Sequence, residues 1–228
     1  MKIDILTLFP KMFEGFITSS IIKRAIEKEL VEINIINFRD YSLLNNMTVD
    51  DTPYGGGSGM VLRIEPIDEA LNQLKTKEST VILLTPDGET FNQSIANELS
   101  DLKHLIIICG HYEGFDERIR SLCDIEISIG DFILTGGEIA AMAITDSITR
   151  LIKGVINESS LESESFNNNL LDYPTYTKPN TYKGMNVPDV LLSGNHKEIE
   201  AWRKAQQIEK TKLKRPDLLK EDVTKLEK

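Results

Sequence analysis

Cysteine is scarce in this chain: 228 residues contain two, Cys109 and Cys123, together with three histidines and one tryptophan. Two cysteines cannot make a disulfide framework, which excludes a stapled secreted scaffold and predicts a reducing compartment, the cytoplasm. Long apolar runs are missing too. No stretch approaches the roughly 18 residues that a membrane helix needs. Asp4 interrupts the apolar opening Ile3–Phe9, so that segment predicts a first strand and not a secretion signal. Positive charge is also in short supply, with 26 Lys and Arg against 36 Asp and Glu, a net charge of -10. Spread evenly, that charge would repel nucleic acid. It is not even, because residues 195–228 carry 10 Lys and Arg against 7 Asp and Glu. On composition alone, such a tail reads as a solvated face.

Several familiar chemistries lack their residues. No strand runs into G-x-G-x-x-G with an acidic residue following, and there is no G-x-x-x-x-G-K-[ST], which excludes the standard dinucleotide and P-loop sites. His104, His111 and His196 stand at no metal-ligand spacing with either cysteine, and no G-x-S-x-G is present. What remains is an ordinary globular balance, 40% hydrophobic and 27% charged, in a length that suits one large domain or two small ones.

The pattern of the first 150 residues alternates strand and helix. Strands are predicted at Ile3–Phe9, Val31–Phe38, Val81–Thr85 (stopped by Pro86-Asp87-Gly88), His104–Cys109 and Ile125–Ile129. Helices are predicted after Ser19 or Ser20 (with Ile22, Ile26 and Leu30 on one face), at Ile64–Leu74, at Phe91–Leu102 and at Glu138–Ile152. Near-continuous apolar strands separated by helices indicate a parallel α/β sheet covered on both faces. The helix from Glu138 is apolar on almost every side, which fits either a core helix or a subunit interface. Residues 157–169 are polar, acidic and aperiodic, a flexible linker. Beyond it come a short apolar Val190–Leu192 and a helix from Lys197 to Lys210 or further. The predicted domains are therefore 1–156, the linker 157–169, and a small helical domain 170–228.

Three strands end in glycine-bearing turns: Thr85-Pro86-Asp87-Gly88, Cys109-Gly110-His111-Tyr112-Glu113-Gly114, and Ile129-Gly130-Asp131 leading to Thr135-Gly136-Gly137-Glu138. Ligands of open α/β sheets sit outside the carboxyl ends of the strands, and glycine lets main chain approach a ligand closely. Three such turns point to a nucleoside-like ligand held by backbone groups. The loop Tyr54–Met60 (YGGGSGM) reads either as a flexible connector or as a lid.

The string Cys109–Arg118 (CGHYEGFDER), the string Ser128–Glu138 (SIGDFILTGGE), the loop Tyr54–Met60, the segment Leu191–His196 (LLSGNH), Trp202-Arg203 and Arg215-Pro216 together resemble the bacterial tRNA (guanine-N(1))-methyltransferase family, TrmD, of the SPOUT superfamily. The resemblance runs in order over essentially the whole chain. It implies an α/β domain whose parallel sheet carries a deep trefoil knot, a fold that periodicity could not have suggested. It also implies a homodimer with each active site at the interface, and a tRNA substrate methylated at the guanosine of position 37, beside the anticodon. S-adenosylmethionine would be held by Leu83, Thr85, Pro86, Gly110, Ile129, Gly130, Asp131, Phe132, Ile133, Leu134 and Gly136. Magnesium is described for the family, with no ligand set visible here.

The chemistry sets the remaining roles. A sulfonium methyl is already activated, whereas guanine N(1) carries a proton, so the site needs a general base and a cation to hold charge on the neighbouring oxygen. By resemblance Arg150 is that cation, and Glu113 contacts the target base. The family's base is the aspartate of an Asp-Ser-Phe motif; this chain has Glu164-Ser165-Phe166, with His111 where arginine is also common. Trp202, Arg203, Lys212, Lys214 and Arg215 would meet RNA. A second reading keeps the fold without the catalysis: an RNA-binding or S-adenosylmethionine-sensing module.

Overall fold

The apolar opening forms β1 (Lys2–Thr7), in which Ile3 and Ile5 face one side of a sheet and Asp4 and Leu6 the other. This is a computed structural model; residues 1–157 and 164–219 are described. The chain divides into two compact units, Met1–Ile156 and Asn157–Lys228.

In the first unit the short α1 (Glu14–Ile17) and α2 (Ser20–Glu27) lead to β2 (Glu32–Asn37). Ser19 stands at the N-cap of α2 but its side chain makes no capping bond, and the helix ends at Glu27, short of Leu30, with Glu29 just beyond it at φ +56°. The two-residue strands β3 (Asp50–Asp51) and β4 (Val61–Leu62) pair antiparallel on either side of the Tyr54–Met60 loop. Then follow α3 (Ile64–Leu74), β5 (Ser79–Thr90), α4 (Gln93–Ser100), β6 (His104–Cys109), β7 (Ile125–Ser128) and α5 (Glu138–Thr149). Five of these strands form one sheet in the order β2-β1-β6-β5-β7, and every pairing is parallel. This is the mixed α/β fold with a parallel central sheet that the alternation of signals predicts.

Strand alternation divides the core in two. Ile3, Ile5, Ile82, Leu84, Leu105, Ile107 and Ile127 pack with Ala141, Ile144 and Ile148 of α5 on one face. Leu6, Val81, Leu83, Ile106 and Ile108 pack with Ile67, Ala70 and Leu71 of α3 on the other. Asp4 is fully buried at the starting edge of the sheet, where it takes hydrogen bonds from Asn34 Nδ2 (2.8 Å) and Lys2 Nζ (2.9 Å) and faces His104 Nε2 at 2.9 Å. A buried carboxylate with three partners is satisfied and needs no other account.

Three of the predicted boundaries that move lie next to the strand ends or at the end of α5. The strand does not stop at Pro86-Asp87-Gly88: β5 makes an excursion there and resumes, so that Leu84 and Glu89 both pair with Ile127. Phe91, one residue past the strand, then donates to Ser128 O at 2.8 Å, and Asn92 caps α4 by accepting from the N–H groups of Ser94 and Ile95, so the helix begins at Gln93 and not at Phe91. At the other end of the unit α5 stops at Thr149, three residues before Ile152, with Arg150 as its C-cap.

The second unit contains a hairpin of β8 (Thr181–Tyr182) and β9 (Met185–Asn186), then α6 (Asp189–Leu192) and α7 (His196–Lys214), which begins one residue before the predicted Lys197 and runs four past Lys210. The hairpin turns at Lys183 and Gly184, both with positive φ, the type I′ geometry that suits two-residue loops. Of the predicted linker, residues 158–163 lie outside the described residues. Residues 164–169 are a folded turn.

Candidate active site

The carboxyl ends of β5, β6 and β7 open onto a cleft of about 280 Å3, near the lower limit for small-molecule sites. Its walls come from the three glycine turns. The β5 excursion contributes Leu84, Thr85 and Pro86; the β6 turn contributes Gly110 through Phe115; and the segment after β7 contributes Ile129, Gly130 and Phe132 through Gly137. The segment after β7 folds back over the end of β6. Gly137 N–H donates to Gly110 O at 2.8 Å, and His111 and Gly136 form an isolated bridge. The approach is so close that a Cβ on Gly137 would lie 2.8 Å from Cys109 Cα and 3.0 Å from Gly110 N. Gly88 is similarly constrained, since its Cβ would meet Ile127 N at 2.5 Å. At Gly110, by contrast, a Cβ finds only ordinary contacts, 3.5 Å to the Phe115 ring and 3.6 Å to Leu84 O.

The Tyr54–Met60 loop is tied to this cleft. Glu113 N–H donates to Met60 O (3.1 Å), Leu62 N–H to Gly114 O (3.0 Å), and Asp116 N–H to Leu62 O (2.8 Å). Only glycine fits at position 59, because a Cβ would overlap the Glu113 side chain and φ is +85°. Tyr54 at the loop's start is fully exposed.

Nine of the eleven residues predicted around the ligand line the cleft: Thr85, Pro86, Gly110, Ile129, Gly130, Phe132, Ile133, Leu134 and Gly136. Leu83 and Asp131 do not. Leu83 alternates with Leu84 and its side chain is fully buried in the opposite core, while Asp131 is exposed. Missed were Leu84, which the alternation of β5 could have indicated, His111, Tyr112, Gly114 and Phe115 around the predicted Glu113, Ile127 and Ser128 at the end of β7, Thr135 and Gly137, and Ala140 from the first turn of α5. Glu113 is exposed on the wall. Arg150, half-buried at the end of α5, does not line the cleft, and every lining residue belongs to the first unit.

The electrostatics near the cleft are dominated by carboxylates. Glu138, 2% exposed at the start of α5, accepts from Thr7 Oγ1 at 2.8 Å. Burial, with the Glu138 charge adding to it, pushes the Cys109 thiol well above its ordinary value. Burial likewise pushes Cys123 up to about 12. The Thr85 hydroxyl donates to Asp87 and holds that carboxyl below the usual range. His111 Nδ1 is buried without a hydrogen-bond partner, and its ring lies 4.7 Å from that of Phe9.

In the second unit, Glu164 begins a turn that folds onto the segment after it. Phe166 N–H donates to Leu170 O (2.7 Å), and Asp172 N–H donates to Ser165 Oγ (3.0 Å). The segment is bound to α7, since Leu171 N–H donates to Thr211 Oγ1 (2.9 Å) and Lys210 Nζ to Asp172 O (2.8 Å). Glu164 is half-buried. The predicted RNA residues separate into two groups. Arg203 lies 4.8 Å over the Tyr173 ring, and Trp202 is 6.4 Å from Tyr176, a cation–aromatic surface on α7. Lys212 and Lys214 are exposed at its end. Arg215 is already engaged, by Asp217 (2.6 Å) and by the Phe166 ring (5.7 Å). Among the described residues no cluster of His, Cys, Asp and Glu is placed to hold a metal, and no helix is long and apolar enough to cross a membrane.

An open parallel sheet with a cleft at its carboxyl ends, walled by main chain and glycine, places the first unit among the α/β domains whose ligand sites lie at the strand ends. Residues 1–221 match the family described as tRNA (guanine-1)-methyltransferase TrmD, and the chain belongs to that family. Among its relatives, a tRNA (guanine-N(1)-)-methyltransferase of Malacoplasma penetrans is 62% identical over 96% of both chains. Proteins of the same name are 57% identical in Staphylococcus carnosus, over 96% of this chain and 91% of that one, and 56% identical in Carboxydothermus hydrogenoformans, over 100% and 91%.

Proposed function

We propose that the chain transfers the methyl group of S-adenosylmethionine to N(1) of the guanosine at position 37 of tRNA, acting in the cytoplasm as a homodimer. The observation that carries the reaction is the family match over residues 1–221; the cleft supplies its place. The residues present fit the cofactor. Thr85, Gly110, Gly130 and the run from Phe132 to Gly136 offer main-chain groups for an adenosine, the unpartnered His111 Nδ1 is a further polar group on the wall, and Gly110 leaves space where a side chain would intrude. S-adenosylmethionine supplies a methyl group already activated on a sulfonium. The protein therefore has only to position the guanine and remove its proton. Glu113, on the cleft wall, contacts the base. The Glu164 carboxylate would take the N(1) proton, freeing N(1) to bond the methyl carbon as its bond to the sulfonium breaks and leaves a neutral thioether, and Arg150 stabilises the negative charge that builds on the neighbouring oxygen.

Arg150 does not line the cleft of its own chain, so this mechanism asks the second copy to complete the site. Exposed apolar residues beside the cleft support such an interface: Phe132 (54%), Ile133 (79%) and Ile139 (53%). The trefoil knot belongs to the same reading, and the passage of Gly136 and Gly137 across the end of β6 supports it. RNA would lie on Trp202, Arg203, Lys212 and Lys214, whose local positive charge offsets the acidic body. Magnesium finds no ligand cluster among the described residues, and no step is derived through it.

Transfer of a labelled methyl group to a tRNA carrying guanosine 37, and not to one carrying adenosine there, is the test. Cofactor binding without transfer would leave the non-catalytic reading.

A further inference from the structure

We infer that Arg120, which is outside the cleft, is the positioning residue that fixes the spacing of its three walls. The inference rests on the reading of the cleft as the S-adenosylmethionine site. Arg120 sits in the 3-10 turn Glu117–Leu122, whose Ile119 is fully buried and anchors the turn in the core. From there its planar guanidinium reaches every strand end that makes the cleft. Nη2 donates to Asp87 Oδ2 of the β5 excursion at 2.8 Å, and the other oxygen of Asp87 receives the hydroxyl of Thr85, a wall residue. Nη1 donates to Glu126 of β7, one residue before the wall residue Ile127. Its Cζ lies 5.2 Å from the centre of the ring of Phe115, the last wall residue of the β6 turn. Nε donates to Glu117 at 3.1 Å, which orients the fork.

No other side chain is needed for these three connections, and a fork of fixed geometry imposes mutual angles that a point charge cannot. The side chain is 24% exposed, so its bonds are partly shielded from water. Removing it leaves Asp87, Glu117 and Glu126 facing one another. The excursion Thr85–Gly88 then loses the bond that ties Asp87 to the turn after β6.

The test compares Arg120→Met, Arg120→Lys and Asp87→Asn with the unaltered protein, by calorimetric titration with S-adenosylmethionine and by steady-state methyl transfer. A misplacement of about 1 Å can cost a hundredfold. Arg120→Met is expected to raise Kd and KM for S-adenosylmethionine about ten- to hundredfold. The KM for tRNA and kcat at saturating cofactor should change less than about threefold, a split that general destabilisation would not produce. Arg120→Lys should fall between the two, and Asp87→Asn should weaken cofactor binding several-fold without loss of thermal stability. If Arg120→Met does not fold, Asp87→Asn, at a 64% exposed side chain, decides alone. Parent cofactor affinity in folded Arg120→Met, or in Asp87→Asn where that variant decides, overturns the inference. An unaltered protein that does not bind S-adenosylmethionine overturns the reading of the cleft, and the inference with it.

Discussion

Gly110 and Gly137 are both glycines of the cleft, but the two are held for different reasons. Gly110 has space for a Cβ and lines the cleft; Gly137 has the main chain of Cys109 and Gly110 within 3.0 Å of where a Cβ would be. Gly110→Val is therefore expected to give a folded protein that no longer binds S-adenosylmethionine, checked by calorimetry. Gly137→Ala should lower stability by about 1–3 kcal/mol through overpacking, checked by denaturant unfolding. The sequence marks both as turn glycines and does not distinguish them, because the contact that separates them comes from a strand some 30 residues away. At position 164 the proposed base is testable alone. Glu164→Gln keeps the size and removes proton acceptance, and should slow single-turnover transfer about a hundred- to ten-thousandfold with cofactor affinity unchanged. The cysteines form a quieter case. With both thiols raised by burial, Cys123 to about 12, neither should react with iodoacetamide at pH 7.5 until the protein is unfolded, as read by mass spectrometry.

At the scale of elements, α3 and β6 have the bounds their sequence predicts, Ile64–Leu74 and His104–Cys109. Each is a strongly periodic or uniformly apolar run with clear stops. β5 was harder to read. Pro86-Asp87-Gly88 is good turn chemistry, and only the tertiary pairing of Glu89 with Ile127 shows that the turn interrupts a strand without ending it. Likewise, nothing in Glu-Arg-Ile-Arg-Ser-Leu favours Arg120 over Arg118, which bonds Asp116 beside it. The choice depends on which arginine faces the strand ends. The β8–β9 hairpin went unread although Lys183-Gly184 carries its signal, because its strands are two exposed residues each. The end of α7 makes a prediction of its own. Because Arg215 is paired with Asp217, Lys212 and Lys214 are the better pair to remove. Their double replacement by glutamine should flatten the slope of log affinity for tRNA against log salt by about 1.4.

At the scale of the whole molecule, the exposed Ile139 lies in the first turn of α5, whose buried face is already committed to β1 and β6. A helix apolar on both sides suits a protein whose core continues into a partner. Sedimentation should give about twice the chain mass of 25.7 kDa, and Ile139→Glu should give a monomer with little transfer activity. The strand order also has a consequence for synthesis. β1 and β2 can pair as soon as Asn37 leaves the ribosome, but β6 is the only strand between β1 and β5, so the two halves of the sheet cannot join before Cys109 is made. Between Leu84 and Cys109 the ribosome needs on the order of 1–5 s, during which Val81–Leu84 is an unpaired apolar edge. The helix already translated, α3, bears Ile67, Ala70 and Leu71, the residues that cover Val81 and Leu83 in the finished core. The nascent chain thus carries its own cover for the strand that must wait.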